Sequence, residues 1–300
     1  MKYMLVVVAA VSWFASQPVR AALNILACEP EWAALAKELG GEKVSVYAAT
    51  TAMQDPHRVE ARPSLIARAR SADLMVCTGA ELEVGWVPLL QSQSGNPKIQ
   101  VNQKGYFEAA LQVALLDVPT RVDRSLGDVH PAGNPHLHLH PANIEKVASA
   151  LTERMAQLDG PEAGYYRDRS RSFLERWQKA TVRWEQEGAA LKGLPLVVYH
   201  KDLSYLIRWL GMREVGSLEP KPGLPATTAH LSDLLAQLAK NPAKVVVRSA
   251  YNDPRAAEFI AERANIPSVM LPYTVGGTER AKDLFGLYDD TLSRLLAVTK

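Results

Sequence analysis

The sequence predicts an α/β fold of two lobes, each built on a parallel sheet and the two joined by one long helix. Three observations carry this. Short apolar runs alternate with helix-spaced segments over residues 23–101 and again over 196–298. Between these halves, residues 142–192 keep helical spacing without any strand pattern. Finally, His57, His136 and His200 all fall at or after the carboxyl ends of predicted strands, where open α/β sheets place their ligands.

In chain order, residues 23–28 form an apolar strand, and 30–39 repeat Trp32, Leu35 and Leu39 at helical spacing until Gly40-Gly41 ends the helix. Residues 43–48 alternate like a strand. A loop over 49–62 leads to a helix at 63–69, a strand at 74–78, helical pieces over 81–93 and a fourth strand at 99–101. Ile144, Val147, Leu151, Met155 and Leu158 then stripe one helix. Beyond Gly160-Pro161 a second helical stretch runs to about Lys192, with Tyr166, Phe173, Trp177 and Trp184 on one face. As one helix of about 30 residues it spans about 45 Å, the length of a strut between lobes. Two helices broken near Gly188 are the alternative. After Gly193-Leu194-Pro195 the pattern resumes, with strands at 196–199, 214–217, 245–247 and 268–271 and helices at 203–210, 228–238, 254–264 and 278–298. The expected organisation is a leader at 1–21, an N-terminal lobe at 22–158, a linking helix at 159–192 and a C-terminal lobe at 193–300.

Composition narrows the function. With 300 residues, 47% hydrophobic and 22% charged, the chain can bury a sizeable core. Its 34 basic and 32 acidic residues are dispersed and leave a formal charge of +2, so nucleic-acid binding has no electrostatic footprint and a small molecule or ion fits better. Met1-Lys2-Tyr3, the apolar run from Met4 to Ala15 and the small residues Val19 and Ala21 predict a secretory signal peptide ending at Ala21, hence a periplasmic location. The alternative is a lipoprotein, because Ile25-Leu26-Ala27-Cys28 loosely resembles a lipid-attachment box. No later segment has 18 continuous apolar residues. Cys28 and Cys77 end neighbouring predicted strands; in an oxidising compartment they form a disulfide, or else stay as small buried thiols.

The stretch 127–141 holds four of the seven histidines: His130, His136, His138 and His140. Its Gly, Pro and Asn make it a loop, and neutral imidazole is the commonest metal ligand. His57 lies in Asp55-Pro56-His57 and His200 follows the strand at 196–199, so two candidates come from the first lobe and one from the second. That distribution points to a metal site in the interlobe cleft. Three imidazoles suit zinc, at about 2.0–2.1 Å per bond, but also copper and nickel. The blander reading is a loose surface metal sponge, since residues 136, 138 and 140 alternate and share one face of an extended segment. Glu60 is either an outer partner of a ligating histidine or a solvated charge, and His230 reads as a helix feature.

At these residues the chain resembles the zinc/manganese substrate-binding proteins of ABC transporters. The resemblance lies in Asp55-Pro56-His57 with Arg62-Pro63-Ser64, Asn134-Pro135-His136 with Pro141, and Val198-Tyr199-His200 with Tyr205, in order, together with the long helix that this family uses as a rigid backbone. It implies that His57, His136 and His200 bind a divalent metal, that the ion is zinc more than manganese because a third histidine stands where manganese-selective relatives place a carboxylate, and that the protein, a monomer, delivers the ion to a membrane permease. It also marks departures. His140 replaces a frequent Asp, His138 replaces a frequent aromatic and rivals or supplements His136, and no acid occurs in 271–277, where a late carboxylate ligand is expected. The fourth ligand is then water, Glu60, Glu219 or Asp283. The competing function is a secreted zinc hydrolase with an open metal position, although the chain has neither HExxH nor GxSxG; an adhesin on the same scaffold is a third.

Overall fold

The computed structural model describes residues 22–121, 123, 127 and 129–299; the predicted leader lies outside them. In order the elements are β1 (Leu23–Ala27), α1 (Pro30–Gly40), β2 (Val44–Ala48), α2 (Pro63–Ser71), β3 (Leu74–Cys77), α3 (Val87–Ser94), β4 (Tyr106–Glu108), α4 (Pro141–Leu158) and α5 (Ala163–Gly188). The second half continues with β5 (Pro195–Val198), α6 (Ser204–Leu210), β6 (Arg213–Ser217), α7 (Thr228–Leu238), β7 (Val245–Ser249), α8 (Pro254–Ala264), β8 (Ser268–Leu271) and α9 (Leu284–Leu296). Two parallel sheets result, ordered β2-β1-β3-β4 and β6-β5-β7-β8. The central strands β1, β3, β5 and β7 are short apolar runs because helices cover both of their faces.

Three local predictions are corrected. The fourth strand of the first sheet is β4, where Tyr106, Phe107 and Glu108 pair with Met75, Val76 and Cys77. Ile99 is fully buried, but in a 3-10 turn whose entry is set by the Asn96 side chain accepting from the Lys98 amide. Apolar burial thus imitated a strand signal. Helix α3 begins at Val87 rather than near Glu81, because Gly79, Ala80 and Glu81 all adopt positive φ and break the helical path. Helix α9 begins at Leu284, where the Asp283 carboxylate accepts from the Gly286 amide at 2.7 Å.

The linking helix is a single element. Over its 26 residues α5 spans about 39 Å, and a 3-10 turn at Ala189–Leu191 ends it. Its face of Tyr166, Phe173, Trp177 and Trp184 is wholly buried. Toward its N-terminal end α5 packs on α1 and α4, and Trp177 Nε1 donates to the Pro141 carbonyl at 3.0 Å. Further along, Trp184 stacks on Tyr288 of α9 with ring centroids 4.7 Å apart. One aromatic stripe therefore ties both lobes to the same strut.

Cys28 and Cys77 form a disulfide that joins the ends of the paired strands β1 and β3. Cys28 is fully buried, with its sulfur in this bridge. Among the described residues no helix is long and apolar enough to cross a membrane.

Candidate metal site

Each of the three predicted histidines is delivered by a loop beyond a strand end. His57 follows β2 in a turn closed by Asp55, whose Oδ1 accepts from the His57 amide at 3.0 Å and from Nδ1 at 2.7 Å. His136 lies between β4 and α4. Its amide donates to Asn134 Oδ1 at 3.0 Å, while Asn134 Nδ2 donates to the Lys201 carbonyl at 2.8 Å. Because Lys201 directly follows His200, that asparagine sets the spacing of two candidate ligands from opposite lobes. The Tyr205 hydroxyl fixes the same segment by donating to the Asn134 carbonyl at 2.8 Å and accepting from the Leu116 amide at 3.0 Å.

The rings converge as a nearly equilateral triangle, with centroids 5.4 Å apart for His57 and His136, 5.7 Å for His57 and His200, and 5.6 Å for His136 and His200. One nitrogen from each lies within 4.8 Å of the other two. Each Nδ1 already has a partner: Asp55 for His57, the Tyr273 hydroxyl at 2.8 Å for His136, and Glu219 Oε2 at 2.6 Å for His200. Such outer partners fix the ring orientation and the tautomer and leave Nε2 for an ion. His136 Nε2 is buried with no hydrogen-bond partner, an arrangement that costs free energy unless something binds there.

Electrostatics separates the three rings. Burial, reinforced by the neighbouring imidazoles His57 and His200, holds His136 well below the ordinary histidine range, so it stays neutral. Burial acts the same way on His200, but the Glu219 hydrogen bond and the charges of Asp202, Glu219 and Asp55 outweigh it and raise the pKa. Burial also opposes the charge of Asp55, yet its hydrogen bonds and ion pairing with His57 prevail and hold the carboxyl below its usual value.

The other sequence candidates fall elsewhere. His138 is directed away from the triangle: Nε2 lies 2.9 Å from the Tyr273 carbonyl and Nδ1 lies 3.2 Å from Glu31, with both residues buried. It stands beneath the cleft rather than rivalling His136, and the Tyr288 hydroxyl pins its carbonyl at 2.6 Å. His140 caps α4 by accepting from the Ala142 amide. Among the acids offered as a fourth ligand, Glu219 is the His200 partner, Asp283 caps α9 and Glu60 is exposed. The outer-partner role suggested for Glu60 belongs instead to Asp55, Glu219 and Tyr273. His230 Nε2 donates to the Ser217 carbonyl at 2.9 Å. A second group of donor atoms, Cys28, Cys77 and Glu83, offers no thiolate because its cysteines form the disulfide. Tyr273, the partner of His136, sits at positive φ in 271–277, and its sequence signal is no more than an aromatic in an otherwise Pro/Gly-rich turn.

Comparison with known proteins agrees with this architecture. The chain is 20% identical over 268 residues to the high-affinity zinc uptake system protein ZnuA of Bacillus subtilis (strain 168), covering 88% of this chain and 82% of that protein. It is 20% identical over 255 residues to the manganese ABC transporter substrate-binding lipoprotein PsaA of Streptococcus pneumoniae, covering 82% and 77%. A crystal structure of ZnuA superposes with a TM-score of 0.73 at 18% identity, covering 91% of this chain and 99% of that one. The laminin-binding adhesin Lmb of Streptococcus agalactiae, in a mutant structure, also gives a TM-score of 0.73 at 18% identity, covering 93% and 98%, which establishes shared fold alone. The family described as zinc-uptake complex component A, periplasmic, matches residues 25–298. That membership sets aside the hydrolase alternative, since the family comprises transport receptors and not enzymes. With the match running over nearly the whole described chain, the protein belongs to the zinc-uptake complex component A family of metal-binding ABC-transporter receptors.

Proposed function

We propose that the protein captures zinc in the periplasm, between its lobes, with the Nε2 atoms of His57, His136 and His200, and hands it to a membrane permease as a monomeric receptor. The observation that carries this reading is the triangle itself: three imidazole nitrogens from both lobes within 4.8 Å, each ring braced at Nδ1. Imidazole donors favour zinc over manganese, which prefers carboxylate and water oxygens. The nearby carboxylates, Asp55 and Glu219, are both turned to Nδ1 atoms and act through the histidines. Placing donors on both lobes makes capture depend on the interlobe geometry, so docking that alters the lobes also alters the ion's coordination.

Chelator-competition titration tests the assignment. His57→Ala, His136→Ala and His200→Ala should each weaken zinc at least 100-fold, whereas His230→Ala should leave it unchanged. Equal effects from all four substitutions would refute the three-histidine site, and manganese affinity equal to that for zinc would refute the choice of metal.

A further inference from the structure

Outside the triangle, His130 stands against the cleft. Its Nε2 lies 3.3 Å from His57 Nε2, and the ring centroids are 5.3 Å apart. The Asp55 carboxylate at 2.7 Å can only accept, so the proton of neutral His57 sits on Nδ1 and its Nε2 presents a lone pair to His130. His130 Nε2–H can donate to that lone pair, and a cation entering between the two nitrogens would take the place of this proton. For a tetrahedral ion with bonds of about 2.0–2.1 Å, neighbouring ligand atoms stand about 3.3–3.4 Å apart. The His57–His130 separation is already of that size.

The backbone places His130 there. Glu81, which lines one cavity with His57 and His130, belongs to the run Gly79, Ala80, Glu81, all at positive φ, a costly path for its two non-glycine members that persists only where the surroundings hold it. On the other side, Gly127 at φ +87 lies so close to the second lobe that a Cβ would stand 2.3 Å from the Pro222 carbonyl oxygen. His130, His136, His200 and Pro222 line one cavity of about 160 Å³. No acid occurs in residues 271–277, and Asp55 and Glu219 are committed to Nδ1 atoms, so among the described residues the site otherwise offers three protein ligands.

We infer that His130 is a fourth protein ligand, completing an all-imidazole tetrahedral zinc site whose last donor comes from the loop between β4 and α4 rather than from a carboxylate of the second lobe. The inference rests on the three-histidine reading above. His130 is farther from His136 than the triangle's members are from one another, at 6.3 Å between centroids, so binding requires a short inward swing of this ring. Four nitrogens should further sharpen discrimination against manganese.

Cobalt(II) and zinc in the full mature chain test this, with His130→Ala compared with His57→Ala. The wild-type zinc X-ray absorption spectrum should fit four imidazole nitrogens. His130→Ala should fit three nitrogens and one oxygen, bind zinc 10- to 100-fold more weakly, alter the cobalt d–d bands, and regain the wild-type bands on addition of free imidazole. His57→Ala should lose far more affinity than His130→Ala. Unchanged cobalt bands and zinc affinity in His130→Ala, with His57→Ala still defective, would overturn the role of His130 and leave the three-histidine site standing. Wild-type affinity in His57→Ala would overturn both.

Discussion

Replacing Glu219 by Gln probes how the second lobe tunes its ligand. Glu219 Oε2 sits 2.6 Å from His200 Nδ1 and also accepts from the Gly223 amide at 2.9 Å, and both side chains are largely buried. Glutamine keeps a carbonyl oxygen for these donors and removes only the charge. Losing an outer partner of this kind typically costs 10- to 100-fold in metal affinity, or about 1.4–2.7 kcal/mol. The pH dependence gives the sharper test. In the metal-free protein Glu219 helps raise the His200 pKa above its ordinary value, so a proton competes with zinc as the pH falls through that raised value. Without the carboxylate, the lowering effect of burial is less opposed and competition begins at lower pH. The variant should therefore bind zinc 10- to 100-fold more weakly near pH 8, and the deficit should narrow toward about pH 5.5. Linkage has the matching sign for the metal-free fold. The stabilisation from the raised His200 pKa is fully present below the unfolded value of about 6.5 and is lost as pH rises through the folded value, so Glu219→Gln should destabilise the apoprotein more near pH 6 than near pH 8. Competition titrations across this range, paired with denaturant unfolding of the apoprotein, measure both effects. A constant deficit at every pH, or none near pH 8, would refute the coupling.

Two further perturbations separate orientation from scaffold. Tyr273→Phe removes the hydroxyl 2.8 Å from His136 Nδ1 and should weaken zinc roughly tenfold in the same titration without unfolding the protein; unchanged affinity would mean that Asn134 alone orients His136. Replacing Cys28 and Cys77 together by Ala opens a loop with a sequence separation of 49 and should cost about 4 kcal/mol in the chain-entropy model, read as a lower denaturant midpoint with one zinc still bound per chain. An unchanged midpoint would show that the bridge contributes no stability.

Much of the architecture is legible in one dimension because its signals are local. The central strands are short apolar runs, the linking helix shows its aromatic stripe at Tyr166, Phe173, Trp177 and Trp184, and cysteines stand at the ends of β1 and β3, which a parallel pair brings together. Short-range periodicity fails where burial and ladder pairing separate, as at Ile99, which is buried without being a strand, and at β4, which is only three residues long. It fails again at His136 and His138. Their alternation suggests a shared face on an extended chain, but Leu137–Leu139 forms a 3-10 turn, and at three residues per turn a two-residue step rotates the side chain by about 240°. One imidazole therefore enters the cleft and the other packs against Glu31.

By itself the sequence determined the two-lobed α/β plan, the strut between the lobes and the residue types able to bind a metal, since each follows from periodicity, turn chemistry or side-chain donors close in the chain. Only the tertiary structure decided which donors meet and what braces them. Tyr273 reaches His136 across 137 residues, Glu219 reaches His200 across 19, and His130 faces His57 across 73. Those pairings depend on how two sheets and one long helix orient their loops, a geometry that no local segment encodes.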